Sequence, residues 1–327
     1  MVDEKYDKWL RAISKDHNAI LEIPREKWTN ELCLATVKRD YAAIHYMLEE
    51  HLTKEICLLS DRQSSSVIRY VPKNLRELYT MHIGEEDTKE KKMNEKLAGL
   101  YKNVNVLGLL NDYIGKNDTD DWTYPLLLRS YPEYESAEIK VMVFGKDTYG
   151  WIPEQEDIGN NGIDVDCLMT LYGNFFNKGN CAYSSQFFPI INELIEMLRE
   201  KQKRKSVRYL WNDIVKIGRG GSGFPEKMYN DFIKDNVNPI ISMEIEILRP
   251  NLIIFFSGPN TDQSGPYDDV LNDVFNNPER KSVEGFDERR LCEIIIPNIE
   301  KSFRLYHPRY LSTIDYKRDF QKIISEI

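Results

Sequence analysis

The chain has 327 residues, with 44 lysines and arginines against 53 aspartates and glutamates, so its formal net charge is -9. That balance argues against a surface coated in nucleic acid, since phosphate binding draws on lysine and arginine, but it leaves room for a local basic groove. No apolar run approaches the roughly 18 to 20 residues of a bilayer span, and the opening "MVDEKYDKWLRAI" lacks a signal peptide's apolar core.

The cysteines (Cys33, Cys57, Cys167, Cys181, Cys292) are scattered with no C-x-x-C among them. This excludes a disulfide framework, a zinc ribbon and an iron–sulfur cluster. Neither a metal nor another cofactor is expected, and a reducing cytoplasm is the expected setting.

Residues 1 to 83 carry a repeat of period 24. Leu10, Leu34 and Leu58 share that step, as do Ile20, Ile44 and Ile68, and Ile23, Met47 and Val71. Thr29 and Thr53 each open a Thr-x-Glu sequence, in which the hydroxyl caps a helix and the acid favours its positive end. About three stacked helical hairpins are expected, each too small to bury a core alone. They resemble the short helical repeats of uncharacterised domains in bacterial and viral proteins. Such repeats serve either as packing or as a docking surface for a protein partner. The run "GEEDTKEKKMNEK" and its continuation, residues 84 to 100, read as a charged linker or solvated helix.

From residue 138 short β-rich runs alternate with helical stretches. "EIKVMVFG", "VRYLWN", "NLIIFFSG", "LCEIIIP" and "FRLYHP" are expected strands. "SQFFPIINELIEMLREKQKRK", "NPIISMEIEILRP", "YDDVLNDVFNN" and "YKRDFQKIISEI" are expected helices. The fold class is therefore α/β over residues 101 to 327, a three-layer α/β/α sandwich with a mainly parallel central sheet, preceded by an all-α repeat domain. Ligands of such sheets bind at the carboxyl ends of the strands.

Four strand ends, in order, resemble motifs of the uracil-DNA glycosylase superfamily. "GKDTY" (Gly145 to Tyr149) is similar to the water-activating loop Gly-Gln-Asp-Pro-Tyr. "YLWN" resembles the strand whose final asparagine reads uracil. "IIFFSG" corresponds to the apolar strand before the last motif, and "HPRYLS" (His307 to Ser312) is similar to His-Pro-Ser-Pro-Leu-Ser. Thr148 and Tyr310 stand where the family has prolines, and Lys146 where it has glutamine.

The resemblance implies hydrolysis of the N-glycosidic bond of uracil, or a related damaged base, in DNA. Asp147 would position water and stabilise the sugar cation, and His307 would stabilise the departing base. Base recognition would fall to Gly145, Tyr149, Trp151 and Asn212, with Trp151 or Phe175 stacking on the base. Gly145 is expected to permit the tight turn. Lys146, Arg309, Leu311 and Ser312 would contact DNA, Leu311 as the wedge that enters the duplex when the nucleotide flips out. Lys216, Arg219 and Arg304 are further candidates for the phosphate backbone. The glycine-rich "IGRGGSGFP" lacks a P-loop's lysine and hydroxyl pattern. The basic run "REKQKRKSVR" suits a helix end. The alternative is a non-catalytic nucleic-acid or protein-binding module on the same fold.

Overall fold

The computed structural model describes residues 4–40, 43–44, 47–53, 55–56, 91–117, 122–148, 150–153, 162–177, 187–203, 205–220, 223–261 and 265–327. The chain divides into two compact units, Met1–Thr88 and Lys89–Ile327. Tyr149, Cys57, Cys181 and the third sequence repeat lie outside the described residues.

In the first unit, helix α1 spans Glu4–Lys15 and α2 spans Asn30–Arg39, with short 3-10 turns at His17–Glu22, Arg25–Lys27 and Glu49–His51. The Thr29 hydroxyl caps α2 by accepting from the Leu32 N–H, and the Thr53 hydroxyl accepts from the Ile56 N–H. Positions 24 residues apart are buried in pairs: Ile13 with Val37, Ile20 with Ile44, Ile23 with Met47, Trp28 with Leu52, and Leu32 with Ile56. Cys33 is a core residue among them.

The second unit opens with helix α3, residues 91–104, so the charged stretch read as a linker is helical from residue 91. Leu97 and Tyr101 on it are fully buried. Helix α4 (Val106–Asn117) and a single turn, α5 (Pro132–Glu135), lead to strand β1, Ile139–Asp147. Then come α6 (Val165–Asn177), α7 (Phe187–Lys201) and β2 (Val207–Val215). Helix α8 covers residues 226–236 with a π turn at Tyr229–Ile233. Helix α9 (Pro239–Leu248) ends with Arg249 in the left-handed region, just before Pro250, which disfavours helical backbone at the residue it follows. The rest is β3 (Leu252–Phe255), α10 (Tyr267–Phe275), β4 (Arg280–Ser282), β5 (Leu291–Ile294), β6 (Lys301–Leu305), α11 (Pro308–Leu311) and α12 (Lys317–Ser325).

The six strands form one mixed sheet in the order β2-β1-β3-β6-β5-β4. The first four in that order are mutually parallel, and β5 pairs antiparallel with both β6 and β4. "LCEIIIP" is therefore not a parallel strand as its apolar run suggested. The short link from Ile294 to Lys301 holds no crossover helix, and without one a following strand returns antiparallel. Both faces are covered: α7 packs on one through Phe187 and Phe188, and α9 and α3 on the other through Glu244 and Tyr101.

Candidate active site

The four strand ends singled out in the sequence belong to the four parallel strands β1, β2, β3 and β6, so they share one edge of the sheet. In a parallel sheet paired residues point to the same face. Gly145 pairs with Asp213 and Asp147 with Val215, which puts Asp147 and Asp213 on one face and Asn212 on the other.

Asn212 is the clearest correction. It is not the last residue of its strand, which runs on to Val215, and its amide is fully buried beneath α9. Its Nδ2 donates to Glu244 Oε2 at 2.9 Å, and its Oδ1 accepts from Lys216 Nζ at 2.8 Å and from the Asp213 N–H. Lys216 also donates to Glu244 at 2.9 Å, and Tyr101 donates to the other Glu244 oxygen at 2.6 Å. Asn212 therefore belongs to a closed polar network and reads no base, and Lys216 reaches no phosphate. Burial pulls the Lys216 amine down from its ordinary pKa, and Glu244 beside it opposes that shift.

On the opposite face Asp147 accepts a short hydrogen bond from the Tyr267 hydroxyl on its Oδ2. Burial pushes the Asp147 carboxyl up, while Tyr267 and the Lys146 ammonium hold it back. The Lys146 ammonium lies 4.9 Å from the centre of the Tyr267 ring, and its own burial lowers its pKa. Tyr267 is in turn raised, by burial and by Asp147. Asp213 is nearly fully buried. Its Oδ1 accepts from Trp211 Nε1 at 3.1 Å, and its Oδ2 has no partner among the described residues. Burial and the neighbouring Asp147 charge raise the Asp213 carboxyl well above the usual range.

His307 follows β6 and stacks on Phe187 with ring centres 5.8 Å apart. Phe187 also lies where a Cβ on Gly145 would touch it at 3.1 Å, which ties the imidazole to the end of β1. Burial, helped by the positive charges of Lys146 and Arg309, pushes the His307 pKa down to about 3. The ring is therefore neutral at physiological pH. Its Nδ1 accepts from the Arg309 N–H at 3.3 Å, so the proton sits on Nε2, which is left as a donor.

The remaining candidates divide. Gly145 lies within β1 and makes no turn; of the two glycines in this motif it is Gly150 that has a positive φ, at 65°. A Cβ at Gly145 would come within 2.2 Å of Asp213 Oδ1, so close packing explains that glycine. Trp151 is a core ring, edge-on to Phe175 at 5.7 Å and to Trp211 at 5.6 Å. Those contacts account for both Trp151 and Phe175 as packing residues.

Leu311 is fully buried and forms no wedge as placed, because the turn α11 directs it inward. Tyr310 beside it is 52% exposed and packs on Tyr306 at 4.6 Å. Arg309 and Ser312 are exposed, with the Ser312 hydroxyl donating to the Arg309 carbonyl. Arg304 is buried, bonded to the Arg289 carbonyl at 2.7 Å and ion-paired with Asp268 at 3.4 Å, so it is not a phosphate contact; Arg219 is exposed.

Thr148 anchors the loop that follows β1. Its hydroxyl meets that of Thr123 at 2.5 Å and accepts from the Gly218 N–H at 2.7 Å, which ties the loop after β1 to the end of β2.

The sequence reading missed Asp213, Tyr267 and Phe187. Asp213 adjoins a residue that was singled out, and Tyr267 is the first residue of a helix that starts directly after Pro266. An open cleft at the opposite edge, lined by Glu138, Asn251, Glu300 and Lys301, is a weaker candidate. Polar groups in it are already engaged: Asn251 donates to Glu300, and Glu138 accepts from the Ser206 N–H. Among the described residues no cluster of three His, Cys, Asp or Glu side chains suits a metal, and no helix is long and apolar enough to cross a membrane. Comparison with protein-family models, curated proteins and solved structures finds no match to this chain.

Proposed function

We propose that the unit Lys89–Ile327 hydrolyses the N-glycosidic bond of uracil, or a related damaged base, in DNA, on a fold of the uracil-DNA glycosylase type. One observation carries the reading: a half-buried carboxylate and a neutral imidazole, whose Nε2–H is left without an acceptor among the described residues, stand at the same edge of the four parallel strands. Breaking the bond builds positive charge on the sugar and negative charge on the base. Asp147, held at Oδ2 by Tyr267, keeps Oδ1 for a water, and its raised pKa makes it a better base. The water oxygen bonds to the sugar carbon as the carbon–nitrogen bond breaks, its proton passes to Asp147 Oδ1, and the electron pair leaves with the base. His307 Nε2–H then hydrogen-bonds an oxygen of that anion without surrendering its proton.

The DNA contacts in this reading are Lys146, Arg309 and Ser312, with Tyr310 in place of Leu311 as the side chain presented to the bases. Stacking on exposed aromatics suits single-stranded or unstacked nucleotides. The buried pairs at a spacing of 24 support reading the first unit as short helical repeats.

The test is base release from single- and double-stranded oligonucleotides carrying one uracil, followed by alkaline cleavage. Asp147→Asn is expected to reduce release by about 10²- to 10⁴-fold and His307→Ala by about 10²- to 10³-fold. Equal release by wild type and both variants would sink the mechanism. A non-catalytic binding module is the second reading, favoured by the burial of Asn212 and Leu311, and it predicts retention of the oligonucleotide with no release.

A further inference from the structure

We propose that Asp213 is the residue that hydrogen-bonds the target base, its unpartnered Oδ2 meeting a carbonyl edge in preference to an amino edge. This rests on the reading of the site as a base pocket and names the chemistry of its ligand. Asp213 lies on the Asp147 face of the sheet, next to Gly145 in the register. Gly145 has no Cβ, and the Asp213 carboxyl occupies the space that a Cβ would take. Phe187, which carries the His307 ring on its other contact, flanks the same point.

A buried carboxyl oxygen without a donor costs free energy unless something completes it. Here Oδ2 is buried and lacks one, while every polar atom of the neighbouring Asn212 side chain is bonded within the protein. Trp211 Nε1–H fixes Oδ1 as an acceptor. Burial and the neighbouring Asp147 both favour the protonated form of Asp213, and with Oδ1 engaged by Trp211 the unpartnered Oδ2 is the oxygen left to carry that proton. The group facing the ligand is then an O–H donor, and it pairs with a carbonyl oxygen such as those of uracil or hypoxanthine. An amino edge would set N–H against O–H. The adjacent Oδ1 keeps a lone pair for a ring N–H, so the acid presents the donor and acceptor pair that an amide would.

The experiment titrates the full-length wild type, Asp213→Ala and Asp213→Asn with free uracil and free cytosine. Binding is followed by tryptophan fluorescence, since Trp211 is bonded to Asp213. Uracil is expected to bind the wild type more tightly than cytosine. Asp213→Ala is expected to weaken uracil binding about 10- to 100-fold, the cost of leaving one buried group unpaired. Asp213→Asn, which restores a donor and an acceptor, is expected to recover it to within about tenfold of wild type. If the alanine variant does not fold, Asp213→Leu makes the same comparison at closer volume. The proposal is overturned by uracil binding that is equal with and without the acid, by a preference for cytosine, or by no binding to the wild type. A wild type that binds uracil through Asp213 yet releases none from an oligonucleotide removes the hydrolytic reading and leaves this one standing.

Discussion

Asn212 and Asp213 are neighbours on one strand, yet the two faces of the sheet treat them differently. On the α9 side, Asn212, Lys216, Glu244 and Tyr101 bond to one another, and the only ion pair among them is fully buried on both sides. On the α7 side, Asp213 keeps an oxygen without a donor, a carboxylate lies beside it, and an imidazole is held neutral. A closed network fixes how the sheet and its covering helices pack. An open one stores unmet hydrogen-bonding capacity that a ligand can fill. Similar polar residues are thus satisfied within the protein on one side and left with unmet capacity on the other.

The closed face is where a single deletion should do the most damage. Glu244→Ala leaves the Lys216 ammonium buried without its counter-charge, and it is expected to cost about 3–5 kcal/mol in chemical denaturation. Replacing both partners, as in Glu244→Leu with Lys216→Met, should recover most of that loss. If the double variant is no better than the single one, the network is more than a packing device and the contrast between faces weakens. On the open face the expected change is smaller. Gly145→Ala would drive a methyl into Asp213 Oδ1 and Phe187, an overpacking of about 1–3 kcal/mol. Because the clash falls on Asp213, the same variant is expected to lose uracil binding, and Gly145→Ala combined with Asp213→Ala should regain the stability but not the binding.

The sequence located the parallel strands but not where β1 and β2 end or which way their side chains point. β1, β2, β3 and β6 were legible as apolar runs closed by Gly, Asn or His, because parallel strands buried on both faces read as continuous hydrophobic segments. The same continuity hides parity. β2 is buried along almost its whole length, so no alternation marks Asn212 as facing α9 and Asp213 as facing α7. A one-residue difference in register exchanges the faces, and it is what sends Asn212 into the closed network and leaves Asp213 beside Asp147. Leu311 was misjudged for a related reason, since a single helical turn after His307 decides whether Tyr310 or Leu311 points outward. β4, short and mostly exposed at Lys281 and Ser282, carries no apolar signal at all. Asp147 and His307 stood out in the sequence as polar residues at the ends of apolar runs, and they close β1 and follow β6 respectively.

The last prediction asks whether Asp213 is protonated in the folded protein, and it needs no substrate. Its native pKa is raised above the ordinary carboxylate value of about 3.9. Above that value the native state holds a proton that the unfolded chain has released. Stability from this residue is therefore present at low pH and declines as pH rises toward the native pKa, by at most about 1.4 kcal/mol per pH unit. Asparagine cannot titrate, so Asp213→Asn removes the decline. His307 acts with the opposite sign: its native pKa of about 3 means that stability rises with pH up to the unfolded value near 6.5. That contribution is present in both proteins and cancels when they are compared. The stability of Asp213→Asn minus that of wild type, measured by denaturation from pH 4 to pH 8, is expected to grow with pH. A difference that stays constant across the range would mean that Asp213 ionises as an ordinary surface acid. Its Oδ2 would then be an acceptor, and the preference for a carbonyl edge would lose its basis.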